Sequence, residues 1–250
     1  MIEQFLIFLV ALLAGFLLGM VGFGWGSILV PTLILLNVEP TIAIGSVLLT
    51  NVILSFVGSL NHLHKGNPDS NIILPLILGG TIGSIGGAAF SLNIGSALLS
   101  LFLSSYLIIG GIIVVFGISK FNINGIKHKV DEKRFSRFIT AGSIPGFFEG
   151  AYGSGGPAGI ITLLLLKVPV HRAVGSWLPT TIVLQLIPTI LYLLNFKVDL
   201  QLTFSLLAGG LPAIFLGINF SGKVSPRILR TVISFIVISL GVRLLIGAIL

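Results

Sequence analysis

The chain alternates between long apolar stretches and short polar connections. Eight apolar stretches can be distinguished, at about 4–36, 41–61, 71–90, 94–119, 138–166, 173–195, 201–220 and 228–250. A helix of roughly 20 apolar residues matches the thickness of the hydrocarbon core of a bilayer. The pattern therefore predicts an all-α integral membrane protein whose stretches fall into two sets of four.

The two sets of four stretches match each other as copies of one unit. A shift of 130 residues aligns 43–111 with 173–241 without a gap, so that Ala43-Ile44-Gly45-Ser46 falls on Ala173-Val174-Gly175-Ser176. A shift of 131 residues aligns an earlier series of glycines, Gly15, Gly19, Gly22 and Gly24, with Gly146, Gly150, Gly153 and Gly155. We predict a first transmembrane repeat over 1–119, a basic cytoplasmic linker over 120–137 and a second transmembrane repeat over 138–250.

The first stretch of each unit is too long for one straight membrane helix. Residues 4–36 would extend roughly 50 Å as a helix, whereas the hydrocarbon core is roughly 30 Å thick. Each first stretch contains a cluster of glycines, and such clusters interrupt helices. The clusters are Gly22-Phe23-Gly24-Trp25-Gly26-Ser27 and Gly153-Ser154-Gly155-Gly156-Pro157. Each first element is predicted to be two short helices joined at a glycine-rich tip.

The positions of the basic residues favour one of two topologies. If both broken elements cross the membrane fully, the cations divide 8 to 5 between the cytoplasmic and outer sides; if each element enters and returns, they divide 12 to 1, with Lys197 alone outside. The second arrangement gives each unit an odd number of crossings, which predicts an inverted repeat. Residues 120–137 and 221–230 would then be cytoplasmic, and the N-terminus and residues 37–40 would lie outside.

Composition excludes several classes of function. Hydrophobic residues make up 55% of the chain and charged residues only 8%, against roughly 25% in soluble domains. The chain has no cysteine and four scattered histidines, so no metal or other cofactor is expected. The net charge of +7 comes from cations between apolar spans rather than from a nucleic-acid groove. We expect a multi-pass protein of the cell membrane, with the lipid bilayer and a small anion as partners and the oligomeric state open.

The glycine breaks are the first candidates for a substrate site. Irregular backbone at membrane depth persists only where protein or a water-lined cavity satisfies it, so two breaks indicate a shared internal site. The helix that follows each break presents unpaired N–H groups, which suit an anion. The alternative is that the glycines only permit close helix packing. The candidate residues at the breaks are Gly22, Gly24, Trp25, Gly26, Ser27, Gly153, Ser154, Gly155, Gly156 and Pro157.

Polar residues in the middle of the spans extend the candidate site. Thr50 and Asn51 match Thr180 and Thr181 under the repeat alignment and lie near the predicted midplane. Their alternative role is interhelical hydrogen bonding. Gln185 lies one turn beyond Thr181 and is a weaker candidate. Trp177 could line a pathway, although packing or placement at the membrane interface is the commoner role of such a tryptophan.

Glu149 is the candidate for proton coupling. It adjoins the second glycine cluster deep in an apolar stretch, where an ionisable group is costly and usually functional. The alternatives are a carboxylate neutralised by Arg172 or by an ordered water, or a site at a wet cavity mouth.

The glycine pattern resembles a known family. Gly15-Phe16-Leu17-Leu18-Gly19-Met20-Val21-Gly22-Phe23-Gly24-Trp25-Gly26, followed by Val30-Pro31 and Ala43-Ile44-Gly45-Ser46, is similar to the sulfite exporter family TauE/SafE over nearly the whole chain. It departs at Trp25, often a glycine in the family, and at Thr162, which replaces the proline matched by Pro31. The resemblance implies export of sulfite, sulfoacetate or related sulfur-containing or organic anions, driven by the proton gradient.

We therefore expect a secondary transporter that works by alternating access around a central site. An anion channel and a membrane accessory subunit without transport activity remain alternatives. An intramembrane enzyme is disfavoured because no cysteine, membrane-depth histidine or paired carboxylates are present. No G-x-x-x-x-G-K-[ST] motif occurs, so the chain does not encode direct use of ATP.

Overall fold

The structure is a computed structural model that describes residues 2–22, 24–64, 69–117, 132–220 and 226–249. Phe23, most of the predicted linker and residues 221–225 lie outside the described part. The described residues form ten helices and no strand. In chain order the helices are α1 (Ile2–Val21), α2 (Trp25–Leu35), α3 (Pro40–His64), α4 (Ser70–Asn93), α5 (Ser96–Gly117), α6 (Glu132–Tyr152), α7 (Gly156–Leu165), α8 (Val170–Leu194), α9 (Leu200–Phe220) and α10 (Pro226–Ile249).

The helices reproduce the predicted apolar stretches. Seven described helices are long and apolar enough to cross a membrane, namely α1, α3, α4, α5, α8, α9 and α10. Large apolar side chains such as Ile82, Leu194 and Phe235 are exposed on the outside, as lipid contact requires. The all-α multi-pass membrane fold is therefore confirmed. One boundary differs: α6 begins at Glu132, so residues 132–137 of the predicted linker are helical.

Both first stretches are broken at their glycine clusters. α1 ends at Val21 and the 11-residue α2 follows, while α6 ends at Tyr152 and the 10-residue α7 follows. The two short helices also end alike. Val38 N–H donates to the Leu33 carbonyl and Val168 N–H to the Leu163 carbonyl, both at 3.0 Å, which is the hydrogen bond of a Schellman motif.

Packing joins each half of the chain to the other half. α1 lies against α9, α6 against α4, α3 against α8, and α5 against α10. The first two contacts rest on small residues: Gly15 meets Gly210, and Gly146 meets Gly80, so closely that a methyl group at Gly15 or Gly146 would overlap the facing backbone. Small residues allow such close approach of membrane helices. The first helix of each half therefore packs against the fourth helix of the other half, α1 against α9 and α6 against α4.

Two serines aligned by the 130-residue shift tie the halves together. The Asp199 N–H donates to Ser46 Oγ, and the Asp69 N–H donates to Ser176 Oγ, each at 3.0 Å. Asp199 and Asp69 in turn accept hydrogen bonds from backbone N–H groups at the starts of α9 and α4. Since the start of α3 meets the end of α8, and the start of α8 meets the α3–α4 connection, α3 and α8 run antiparallel.

The same connections fix the course of the broken elements. α6 runs in the same direction as α4, with Ile139 beside Gly79 and Phe147 beside Gly87. The chain leaves α7 close to the start of α4, because Arg172 forms an ion pair with Asp69 at 3.3 Å. The element α6–α7 thus begins and ends near one end of α4. The orientation of either half in a bilayer stays a prediction.

Candidate functional site

The two glycine breaks meet in the interior of the molecule. Ser27 Oγ in α2 and Ser154 Oγ in the second break share a hydrogen bond of 2.5 Å. Gly26 lies against the Gly153 carbonyl group, where a methyl group would overlap the carbonyl oxygen. Gly24 has a φ of +117° and Gly153 a φ of +61°, values that favour glycine. The sequence thus places glycine where the backbone turns or another backbone approaches.

A small cavity lies where the breaks meet. The space open to the centre of a water-sized sphere is about 20 Å³, which is room for about one water molecule. Sixteen residues from both halves line it: Leu18, Gly22, Gly24, Trp25, Gly26, Ser27, Asn51, Ser55, Glu149, Gly153, Ser154, Gly156, Pro157, Trp177, Thr181 and Gln185. Most of the predicted site residues are therefore neighbours around one space.

Three predicted residues do not line this cavity. Thr50 accepts a hydrogen bond of 3.0 Å from Trp25 Nε1 and donates to the Val47 carbonyl. Thr180 donates to the Ser176 carbonyl at 2.8 Å, within its own helix. The third residue is Gly155, whose N–H donates to the Glu149 carboxylate. Thr50 thus makes the interhelical hydrogen bond that was the alternative to substrate binding, whereas Thr180 makes a bond within its own helix.

Glu149 is buried beside the second break and accepts two hydrogen bonds. The Gly155 N–H donates to Oε2 at 2.7 Å, and Gln185 Nε2 donates to Oε1 at 2.6 Å. Only 1% of the residue is exposed. Arg172, which the sequence offered as a neutralising partner, is paired with Asp69 instead. The carboxylate is therefore held by neutral donors and by the start of α7.

Two of the residues that line the cavity each have a side-chain atom without a hydrogen-bond partner in the part of the chain that the structure describes. The two atoms are Trp177 Nε1, a donor, and Gln185 Oε1, an acceptor. Both residues are 1% exposed. Buried polar groups are normally paired, and an unpaired one costs about 1–3 kcal/mol. These two atoms therefore mark the wall as a place where a polar ligand would be stabilised.

The sequence interpretation underrated this wall. Trp177, Thr181 and Gln185 follow each other at intervals of four in α8, which places them on one face of the helix. That spacing was a signal for the whole set, whereas repeat matching selected Thr180 and Thr181 and left Gln185 as a weaker candidate. Thr181 also lies 3.4 Å from Ser55 Oγ, which the sequence gave no reason to select.

Tyr106 holds the second break from the side. Its hydroxyl donates to the Ser154 carbonyl, and its ring stacks on Phe148 with centroids 4.0 Å apart. The Tyr106 hydroxyl thereby satisfies one carbonyl of the irregular backbone between α6 and α7.

The chemistry of the cavity is that of neutral donors and a single carboxylate. No lysine or arginine is among its lining residues. The part of the chain that the structure describes also contains no group of three or more His, Cys, Asp or Glu residues that would suit a metal ion. The wall can offer hydroxyl, indole and amide groups to a small polar ligand, and Glu149 can exchange a proton.

Comparisons with known proteins find one matching family model and several similar membrane transporters. The family model described as "Sulfite exporter TauE/SafE" matches residues 7–244. Among curated proteins, "Probable membrane transporter protein YjnA" of Bacillus subtilis is 27% identical, covering 96% of this chain and 98% of its own length. "Probable membrane transporter protein YtnM" of the same organism is 25% identical, covering 95% and 81%. No solved structure matches the chain.

Proposed function

The chain belongs to the sulfite exporter TauE/SafE family and is a multi-pass membrane transporter of the plasma membrane, not an enzyme. From this premise we propose that it is a secondary transporter that exports sulfite or a related small sulfur-containing or organic anion. Transport is coupled to protons and proceeds by alternating access around the cavity between the two breaks.

The observation that carries the proposal is the unpartnered Trp177 N–H on the wall of a cavity formed by both breaks. An oxyanion supplies the acceptor that this donor lacks. The hydroxyl of Thr181, the amide of Asn51 and the hydroxyls of Ser27 and Ser154 stand around the same space. A ligand with several acceptor oxygens fits such a set better than a cation or an apolar solute does.

The binding energy of the anion must come from neutral groups. A hydrogen bond to a charged group contributes roughly 1.5–3 kcal/mol, and several of these have to offset the cost of removing the anion from water. Modest affinity follows. Since the cavity holds about one water, the breaks must also separate to admit an ion of several heavy atoms.

Glu149 supports coupling to protons because its carboxylate faces the same cavity. An ionised Glu149 repels an anion across a space of low polarity, whereas a protonated Glu149 does not. A proton and an anion would therefore enter the site together and leave it together. The pair crosses as a unit, so that the gradient of the anion and the gradient of the proton are coupled, and an outward gradient of the anion drives its export with the proton.

Two sets of contacts at opposite ends of the α3–α8 pair support alternating access. One end is closed by Ser46 with Asp199 and by the Glu39–Lys197 ion pair. The other is closed by Ser176 with Asp69 and by the Arg172–Asp69 ion pair. Opening one set while the other stays closed would expose the cavity to one side at a time.

A transport screen tests the proposal. The purified chain in proteoliposomes is assayed for uptake of sulfite, thiosulfate, sulfoacetate and sulfate, with and without an imposed pH gradient, against protein-free liposomes. We expect saturable flux of at least one sulfur-containing anion that the pH gradient accelerates. Flux that does not saturate would favour a channel, and no flux of any of the anions would favour an accessory subunit.

A further inference from the structure

Resting on the proposed function, we propose that Gln185 is a positioning residue that converts protonation of Glu149 into anion affinity by rotating its side-chain amide. The side chain lies between the carboxylate and the cavity. Its Nε2 atom is 2.6 Å from Glu149 Oε1, its Oε1 atom has no hydrogen-bond partner, and the residue lines the cavity. One end of the amide therefore donates a hydrogen bond to the carboxylate, while the other end is available to contact the ligand.

The observed orientation belongs to the ionised carboxylate. An ionised carboxylate only accepts hydrogen bonds, so it holds the NH₂ end of the amide. The amide oxygen is then turned to the cavity, where it presents a partial negative charge. Charge on Glu149 and the oxygen of Gln185 both oppose an anion in this state.

Protonation reverses the pairing. A proton taken up from water on Glu149 Oε1 makes that oxygen a donor, and its best partner is then the amide oxygen of Gln185. Rotation of the amide brings this oxygen to the carboxyl group and turns the NH₂ group to the cavity. The site gains donors for an oxyanion at the moment when it loses the negative charge.

The carboxyl group need not move during this exchange. Its other oxygen, Oε2, accepts from the Gly155 N–H at 2.7 Å in either protonation state. That bond anchors the carboxyl at the start of α7 and leaves Oε1 as the oxygen that changes role. The rotation is thus confined to one side chain, which suits a buried site with little free space.

Few other titratable groups lie where they could produce a pH dependence of anion binding. The helices α2, α4 and α7, which pack against α6, contain no acidic, basic or histidine residue. The charged residues that begin α6 lie at its far end from the second break, and α8 carries His171 and Arg172 in its first turn, where Arg172 pairs with Asp69. Tyr106 is a titratable residue that interacts electrostatically with Glu149, and its hydroxyl donates to the Ser154 carbonyl; Tyr152 lies one turn beyond Glu149 on α6.

The test compares anion affinity at two pH values. Sulfoacetate is the probe, because its two acidic groups stay ionised across the neutral range. Binding is measured on purified parent protein, Gln185→Met and Gln185→Leu, at an acidic and an alkaline pH on either side of the parent's own midpoint. Gln201→Met on the exposed face of α9 is the matched control, and elution as a single species is required of each variant.

We expect the loss of the amide to weaken sulfoacetate binding about ten-fold at acidic pH, where its NH₂ group faces the anion, and less than two-fold at alkaline pH. Equal weakening at both pH values, as a purely structural role gives, would overturn the inference while leaving the proposed function intact. Unchanged affinity in both variants would also overturn it. A parent that binds sulfoacetate without any pH dependence would refute proton coupling and this inference together.

Discussion

At the scale of single residues, the centre of the molecule is organised around charge without a counter-ion. Glu149 is the charged side chain that is buried among the described residues, and its hydrogen bonds come from a backbone N–H and an amide. A charge without such donors would be too costly to bury. Beside it, Trp177 has the opposite problem: its N–H is a buried donor without an acceptor.

Trp177 and Trp25 should respond differently to the same substitution. Trp177→Phe removes an unpartnered N–H, so protein stability should be retained while anion affinity falls about ten-fold. Trp25→Phe removes the hydrogen bond to Thr50, so the free energy of unfolding should fall by about 1 kcal/mol. Thermal unfolding and anion binding of the two purified variants decide the matter. Equal anion affinity in the parent and Trp177→Phe would contradict a ligand contact at the indole.

Gly26 should be intolerant of even one methyl group. Its Cβ would overlap the Gly153 carbonyl, so Gly26→Ala should force the breaks apart, cost roughly 1–3 kcal/mol of stability and slow transport. Gly86→Ala is the matched control, because a methyl group there meets nothing within 4 Å. Thermal unfolding and uptake are measured on both. Similar stability and rates in the two variants would show that the meeting of the breaks is dispensable.

The sequence predicted which stretch of α8 lies beside the cavity, but not which face of that helix turns towards it. Matching the repeats selected Thr180 and Thr181 together, yet successive residues on a helix point about 100° apart. Both hydroxyls donate to a carbonyl of α8, but of the two residues only Thr181 lines the cavity. Which face of α8 turns inward depends on packing against the other half, and hydrophobic periodicity is weak in a helix that is apolar on all sides.

At the scale of helices, the sequence predicted the breaks because glycine clusters interrupt an apolar run that is too long for one span. It missed the start of α6 because Glu132 to Arg137 are polar and were assigned to the linker. The pairing of α1 with α9 and of α6 with α4 could not be predicted either. It depends on contacts between the halves, which the order of the elements does not determine.

The ion pair between Glu39, in the α2–α3 connection, and Lys197, in the α8–α9 connection, gives a pH-dependent prediction. The hydrogen bond from Lys197, helped by the Thr41 hydroxyl, lowers the pKa of Glu39 below its usual value. A lowered pKa stabilises the fold above the pKa of the unfolded chain, and this stabilisation is lost as pH falls through the folded pKa.

Glu39→Gln should therefore be less stable than the parent at neutral pH, and the difference should shrink towards zero in acid. The effect should stay below about 1 kcal/mol, because both side chains are more than a third exposed and solvent screens the pair. Melting temperatures of the parent and the variant across this range provide the measurement. A difference that is constant with pH would mean that the ion pair does not contribute.

At the scale of the whole molecule, the two halves pack through reciprocal contacts, with α1 on α9 and α6 on α4, and the inverted repeat stays a prediction from the sequence. The turns after α7 and α8 lie at opposite ends of the antiparallel pair α3 and α8, and the charge distribution assigns them to opposite sides of the membrane. Their exposed residues Lys167 and Phe196 both have positive φ, of 60° and 55°, so they form a matched pair of sites for labelling.

Phe196→Cys should react with a membrane-impermeant thiol reagent added from outside, and Lys167→Cys should react only after the membrane is permeabilised. The native chain has no cysteine to interfere. Labelling of both sites from outside would be incompatible with opposite faces, and labelling of Lys167→Cys alone would reverse the orientation.

Proton flux driven by an anion gradient tests the central claim most directly, that an anion and a proton share the cavity at Glu149. Proteoliposomes containing the parent or Glu149→Gln are loaded with a pH-sensitive dye and given an inward gradient of the anion that the uptake screen identifies. The parent should acidify the lumen as the anion enters. Glu149→Gln should exchange labelled for unlabelled anion yet move no protons; proton flux equal to the parent's in this variant would contradict the account.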